Sequence, residues 1–228
     1  TRAVLQQLGK TWQPWGGSGY FVLVALLGVA LTTSEILILL PLVFAPGSTG
    51  AAEVSRGKAL AYFGLLGLGF LFVEIPLMQR FILFLGQPIY AFTVVLAAVL
   101  FFSGLGSLAA PKLSLRWTIP ILVIAILLYP LGLPLLFPAL LGTPLSIRLA
   151  ASCLILAPLG FLMGIPFPGG LAWLRSRSAG LIPWAWAING CASVLASVLA
   201  ALIALSAGFL WVLVAAALAY AGAWLAIR

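Results

Sequence analysis

The sequence predicts an all-α fold, a polytopic transmembrane bundle of about seven spanning helices. Of the 228 residues, 64% are hydrophobic and only 6% are charged, whereas soluble globular chains carry about 25% charged residues. So few charges cannot cover a surface that faces water, so we expect lipid to be the solvent. Seven apolar runs also approach the ~20 residues that a helix needs to cross ~30 Å of hydrocarbon.

The predicted spans follow one another with short, turn-rich connections. They cover residues 20–44, 59–84, 88–110, 118–140, 147–165, 182–206 and 208–227. Glycine and proline mark the gaps, as in Gly86-Gln87-Pro88. Only Ser206-Ala207-Gly208 separates the last two spans. These two helices are therefore predicted to form a tight antiparallel hairpin.

The amino-terminal residues differ from the rest of the chain. Residues 1–19 are too short and too mixed in polarity to span, and Trp12 and Trp15 are typical of a membrane interface. We predict an interfacial segment over 1–19 and one membrane domain over 20–228. No soluble domain is predicted within these residues.

The segment GIPFPGG, residues 164–170, interrupts the apolar pattern. Its two prolines and three glycines are incompatible with a continuing helix. Irregular backbone at membrane depth is tolerated only where protein or a cavity satisfies the freed carbonyls. This segment is the best candidate for such a break, although the sequence favours an ordinary loop at the membrane surface.

Small residues recur every four positions in the last two spans, as in Ala192, Ala196 and Ala200. Such stripes let helix backbones approach closely, which is how helices associate in lipid. The same packing role is predicted for three further groups of small residues. They are Ala215, Ala219, Ala223, Gly64, Gly67, Gly69, Ser103, Gly104, Gly106 and Ser107.

The net charge is +8, and the cations lie singly or in pairs at the ends of apolar runs. This distribution is typical of interface anchors and predicts no nucleic-acid partner. Seven spans place four cations on one side: Arg2, Lys10, Arg80 and Arg148. The other side receives seven: Arg56, Lys58, Lys112, Arg116, Arg175, Arg177 and Arg228. The charge difference favours the second side as cytoplasmic.

The acid–base chemistry available to the chain is small. Histidine and aspartate are both missing from the sequence, and the acids are Glu35, Glu53 and Glu74. Without imidazoles there is no expected haem or zinc ligand set and no triad base. We therefore predict no cofactor, no metal site and no enzyme within these residues alone. Cys153 and Cys191 lie in apolar runs and are predicted to pack as small hydrophobic residues.

Glu74 is the most informative polar residue, because a carboxylate within hydrocarbon costs at least ~2.5 kcal/mol. It precedes Pro76 and lies six residues before Arg80. A helix that starts near residue 59 places Glu74 roughly 8 Å inside one membrane face and Arg80 at that face. The two residues indicate either a structural interhelical ion pair or a polar solute-binding site, and the sequence leaves both open.

Two other polar residues lie within predicted spans. Glu35 follows Thr32, Thr33 and Ser34, whose hydroxyls favour a structural hydrogen-bonded role near the opposite membrane face. Asn189 is predicted to bridge helices. The candidate substrate-binding residues are thus Glu74, Gln79, Arg80, Asn189 and Glu35.

Three blocks occur in an order that resembles a known family. They are AYFGLLGLGFLFVEIPLMQRFILFLGQPIYAFTVVLAAVLFFSGLGSL (61–108), FLMGIPFPGG (161–170) and PWAWAINGCASVLASVLA (183–200). Together they resemble the carboxy-terminal membrane region of bacterial spermidine-synthase-like integral membrane proteins. That family fuses an aminopropyltransferase-like domain to multi-spanning, transporter-like segments.

The resemblance implies a membrane module without its catalytic partner, since no Gly-rich phosphate loop followed by an acidic residue is present. The positions carried over are Glu74, Gln79, Arg80, Gly86, Pro88, Pro166, Pro168 and Asn189. Gln87 stands where the family often has histidine, so a proton-shuttling role at that turn is not carried over.

The resemblance also implies a location and partners. It implies a multi-pass protein of the bacterial cytoplasmic membrane, with other membrane subunits or a fused soluble domain as partners. A cytoplasmic domain before Thr1 would place the amino terminus inside, against the charge count. Two hypotheses remain open, a solute-handling membrane domain and a non-catalytic scaffold or accessory subunit.

Overall fold

The computed structural model describes residues 18–34, 36, 40 and 54–228. Within these residues the protein contains helices and no strands, which confirms the all-α prediction. The helices are α1 (Ser18–Ser34), α2 (Arg56–Leu85), α3 (Pro88–Ala109), α4 (Leu115–Leu141), α5 (Leu145–Met163), α6 (Pro166–Arg177), α7 (Ile182–Ala207) and α8 (Phe209–Ala226). Short 3₁₀ turns cover Ala110–Lys112 and Ala179–Leu181.

Six helical segments in this described part are long and apolar enough to cross a membrane, and α1 is a shorter apolar helix. The chain is therefore a multi-pass membrane protein, as predicted. In the fourth of these six segments, α5 and α6 together form one crossing, Leu145–Arg177. The interfacial residues 1–17 and Glu35, a predicted site residue, lie outside the described residues, as does most of the first span after Ser34.

Glycines in the left-handed backbone region end two helices at predicted turns. Gly86 has φ 77° and stops α2, and its N–H donates to the carbonyl of Ile82. Gly208 has φ 94° and joins α7 directly to α8. Both conformations favour glycine because no Cβ clashes with the backbone. The tight hairpin predicted for the last two spans is confirmed.

Interhelical hydrogen bonds fix the direction of each crossing relative to α2. Arg148, early in α5, donates from Nη1 to the carbonyl of Phe84 at 3.0 Å, near the end of α2. At the other end the Val54 N–H donates to Oγ of Ser178 at 3.0 Å. The α5–α6 crossing therefore runs antiparallel to α2. The Asn189 side chain of α7 meets Phe63 of α2, and Ser193 meets Gly67, so α7 runs parallel to α2.

Successive crossings alternate in direction, which gathers the seven predicted cations at one end of the bundle. We call this the cation-rich end: Arg56, Lys58, Lys112, Arg116, Arg175, Arg177 and Arg228. Tryptophans accompany them there. The Arg56 guanidinium lies 3.8 Å from the Trp184 ring centre, and the Arg228 guanidinium lies 3.6 Å from that of Trp224. Such pairs are typical of a membrane interface.

Helix α2 is the central helix of the bundle. Its Tyr62, Phe63 and Phe81 side chains are fully buried, and α7 and α8 pack along it. Small residues face α2 from these neighbours, since Ala196 and Ala200 of α7 are fully buried. The predicted role of the alanine stripe in packing is confirmed for these positions.

Helices α3 and α5 approach each other through glycine. A Cβ built on Gly106 would lie 2.0 Å from the carbonyl oxygen of Phe161. A Cβ on Gly164, just after α5, would lie 2.0 Å from the carbonyl oxygen of Ser103. Only hydrogen fits at these two positions, so α3 is held against the end of α5.

We predict that Gly106→Ala destabilises the bundle, because its methyl group meets backbone atoms that cannot rotate away. Overpacking costs about 1–3 kcal/mol in well-packed proteins. Gly104→Ala is the matched control, because nothing lies within 4 Å of a Cβ at Gly104. Thermal unfolding in detergent should give a lower midpoint for Gly106→Ala alone. Equal midpoints for both variants would contradict the glycine contact.

Candidate functional site

The α5–α6 crossing is broken inside the bundle. Helix α5 ends at Met163 and α6 begins at Pro166, with Gly164 and Ile165 between them. Ile165 is fully buried and Pro166 is buried as well. The sequence-based preference for a surface loop here is therefore wrong. A helix resumes because proline is well tolerated at the first helical position, where its missing N–H costs no hydrogen bond.

The backbone at the break is only partly hydrogen-bonded. The Ile165 carbonyl accepts the regular helical bond from the Gly169 N–H at 3.1 Å, and the Pro166 carbonyl accepts an additional hydrogen bond from Oη of buried Tyr62 at 2.7 Å. The Gly164 carbonyl would normally pair with the N–H of residue 168, which is a proline. Among the described residues no donor reaches it. One acceptor at the break is thus left for another partner.

A cavity of about 400 Å³ lies beside this break, bounded by α2, α3, α7 and α8. Its size is within the range of small-molecule sites, ~300–1,000 Å³. Apolar side chains form most of the wall, namely Leu66, Phe70, Leu100, Met163, Phe167 and Trp186. The polar side chains are Ser103, Ser107, Asn189 and Ser193, together with the Tyr220 phenol.

Asn189 connects the cavity to the helix packing. Its Nδ2 donates to the Phe63 carbonyl at 3.0 Å, so it bridges α7 and α2 as predicted. Because the Phe63 carbonyl can only accept, the side-chain nitrogen of Asn189 must face it. The side-chain oxygen Oδ1 is then available as an acceptor. Asn189 also lines the cavity. It is the sequence-predicted site residue that the structure places at the cavity wall.

Glu74 and Arg80 do not meet. Glu74 is 7% exposed, and its Oε1 is buried without a hydrogen-bond partner among the described residues. Arg80 and Gln79 are exposed. Helix α2 continues through Pro76, so six residues of rotation leave Glu74 and Arg80 about 120° apart. Glu74 and Arg80, which share one helix, therefore form no ion pair with each other.

Glu74 does not line the cavity, but it follows two residues of α2 that do. Leu66 and Phe70 line the cavity, and Glu74 follows Phe70 at the same four-residue spacing. It therefore lies one helical turn, about 6 Å, beyond Phe70. Phe63 of α2 pairs with Asn189 of α7, 126 residues later. Because the two helices are parallel, the same offset places Glu74 level with fully buried Ala200. A carboxyl group with an unsatisfied oxygen thus lies just past the deep side of the cavity.

Sequence reasoning missed the contribution of α3, because Ser103, Gly104 and Ser107 were assigned to packing alone. All three line the cavity, and a Cβ at Gly104 would meet nothing within 4 Å. A possible signal was the four-residue spacing of the two serines, which places both hydroxyls on one helix face. Over the described ranges, no group of three His, Cys, Asp or Glu residues could hold a metal ion.

Fold and site together define a multi-pass α-helical membrane domain with a cavity at a broken helix. No family model, no curated protein and no solved structure matches the chain. The resemblance to spermidine-synthase-like membrane proteins therefore remains an expectation from the sequence.

We predict that Glu74→Met leaves thermal stability unchanged or raises it, because Oε1 has no partner to lose. Replacing a buried polar group by an apolar one of similar shape is often neutral. Tyr62→Phe is the control that removes a 2.7 Å hydrogen bond, at an expected cost of about 1 kcal/mol. If Glu74→Met lowered the unfolding midpoint as much as the control, the carboxyl group would instead be holding helices together.

Proposed function

We propose that this chain is a membrane domain that binds a small molecule in the cavity beside the α5–α6 break. The observation that carries the proposal is a cavity of about 400 Å³ in which an apolar wall surrounds a few polar groups. This combination is typical of small-molecule sites. The polar groups of the wall include Asn189 and also Gly164, where the helical hydrogen-bond pattern of the α5–α6 crossing is interrupted.

The broken helix supports a binding role. In membrane proteins that move solutes, discontinuous helices place backbone polar groups beside the substrate. Residue 164 lies about 20 Å along the crossing from Arg177 at the cation-rich end. The break is therefore well inside the bundle. A break at this depth is tolerated in proteins where it lines a cavity.

Glu74 belongs to the proposed site as the polar group at its deep side. An intramembrane carboxyl group is a functional-site hypothesis by default, because burial is costly. Its unsatisfied oxygen favours this role over a structural one. Arg80 and Gln79 take no part in the proposal, because both side chains are exposed.

Two observations favour ligand binding over the alternative that the chain is a non-catalytic scaffold. A non-catalytic scaffold packed through its small-residue stripes predicts a bundle without an internal cavity and a close Glu74–Arg80 pair. The bundle instead contains the cavity. Oε1 of Glu74 has no hydrogen-bond partner among the described residues, Arg80 included. We therefore favour ligand binding.

We further propose that the protein is located in a bacterial cytoplasmic membrane with its cation-rich end in the cytoplasm. The resemblance of the three sequence blocks to spermidine-synthase-like membrane proteins supports this location. It also supports a role as a transporter-like module that accompanies a soluble domain or other subunits. The seven cations of the cation-rich end support the orientation.

The orientation is testable with single cysteines in a background lacking Cys153 and Cys191. Lys112 and Gln87 lie at opposite ends of α3, and both are exposed. In intact spheroplasts, a membrane-impermeant maleimide should label Gln87→Cys and spare Lys112→Cys until the cells are lysed. The reverse pattern would overturn the proposed orientation.

Ligand binding is testable by filling the cavity. Gly104→Phe adds a ring at the cavity wall, where a Cβ has open space, so we expect the ligand to be excluded without loss of folding. Gly190→Phe is the matched control, because Gly190 is an equally uncrowded α7 glycine that does not line the cavity.

Native mass spectrometry of protein purified from membranes measures the outcome. The parent and Gly190→Phe should retain a bound small molecule, and Gly104→Phe should lose it. Identical spectra for all three proteins would contradict the proposal.

A further inference from the structure

We infer that the cavity receives its ligand from the surrounding lipid, and that the ligand is an amphiphile whose polar head donates hydrogen bonds. This inference rests on the proposed function and specifies the chemistry of the same site. Three features of the described residues support it: the position of the cavity mouth, its depth in the membrane and the hydrogen-bonding character of its wall.

The cavity opens on the side of the bundle, between α3 and α7. Leu100 is 55% exposed and Trp186 is 59% exposed, although both line the cavity. Gly104, on the same wall, is exposed as well. Both helices are apolar enough to span, so the medium around this rim is lipid. A ligand dissolved in the bilayer reaches the rim without crossing a layer of protein.

Helix α1 lies on a different side of α7. Its carboxy-terminal Ser34 carbonyl is 3.8 Å from Sγ of Cys191. Cys191 is two residues after the cavity-lining Asn189, which is about 200° around a helix. In the described part of the chain, α1 therefore packs away from the mouth and leaves it open to lipid.

The mouth extends from the membrane interface inward. Ser107 lies two residues before the end of α3 at the cation-rich end, and Leu100 lies about 10 Å deeper along the helix. This interval covers the depth from the head groups to the upper acyl chains of one leaflet. An amphiphile in that leaflet already has its polar head near Ser107 and its chain beside Leu100.

The wall offers acceptors for the polar head. Asn189 uses Nδ2 in its bond to Phe63 and presents Oδ1 as an acceptor. Gly164 also lines the cavity, and its carbonyl has no donor among the described residues. The Glu74 carboxyl group is not part of the wall and lies one turn beyond Phe70. Hydroxyl groups in the wall can donate as well as accept, but no Lys or Arg of the described residues lines the cavity. The wall is therefore suited to an alcohol or amine head and unsuited to a carboxylate or phosphate, whose charge would find no cation.

The test uses the full chain in lipid nanodiscs with three photoreactive alkyl probes of equal chain length. One probe ends in a hydroxyl, one in a primary amine, and one in a carboxylate that is kept ionised. After illumination, mass spectrometry measures labelling of the peptides that contain Ser103 and Trp186. The alcohol or the amine should label these peptides about tenfold more than the carboxylate, because an unpaired buried charge is costly.

Two variants link this labelling to the cavity. Gly104→Phe should abolish the head-group preference, and Gly190→Phe should keep it. Equal labelling by all three probes, or labelling unaffected by Gly104→Phe, would overturn the inference. If the probes fail while native mass spectrometry still shows a molecule lost in Gly104→Phe, the ligand is water-soluble. In that case the amphiphile inference is wrong and the proposed function stands.

Discussion

The architecture depends on one constraint, that backbone polar groups within hydrocarbon must find partners inside the protein. Long uninterrupted helices meet this constraint by themselves, but the α5–α6 crossing does not, because Pro166 and Pro168 lack the N–H groups that would continue the pattern. The fully buried Tyr62 ties the resumed helix to α2 through the Pro166 carbonyl. The Gly164 carbonyl is not compensated among the described residues. The cavity adjoins this unsatisfied acceptor.

The same constraint explains why glycine and small polar residues surround the site. Helices in lipid gain no hydrophobic driving force from contact, so they associate by close packing and interhelical hydrogen bonds. Gly106 and Gly164 bring α3 against the end of α5, and Asn189 holds α7 to α2. These contacts position the helices α2, α3 and α7 around the cavity. The remaining side, between α3 and α7, is where the rim residues are exposed.

The sequence predicted the helices well because spanning is a local property of composition and length. Counting the apolar spans and the residues between them also predicted the hairpin at Gly208 and the seven cations at one end of the bundle. The segment at residues 164–170 was wrongly predicted to be a surface loop, because proline is common both in loops and in the first turn of a helix. The buried position of Pro166, which the sequence does not reveal, distinguishes the two. The absence of a Glu74–Arg80 pair followed from helical rotation, which Pro76 does not change.

The cavity itself could not be derived from the sequence. Ser103 and Gly104 have the composition of a packing stripe, and only their neighbours in α7 and at the α5–α6 break show that they border open space. Asn189 was recognised as a helix bridge because an amide within a span needs a partner. Its second role depends on Oδ1, whose direction is fixed only once the Phe63 carbonyl is known to hold Nδ2.

A high-resolution electron cryomicroscopy map of the native protein in lipid would show what occupies the cavity. We expect elongated non-protein density that enters between α3 and α7 and ends within hydrogen-bonding distance of Asn189 and the Gly164 carbonyl. A map in which Trp186 and Phe167 collapse into this space, or in which another subunit fills it, would contradict ligand binding at this site.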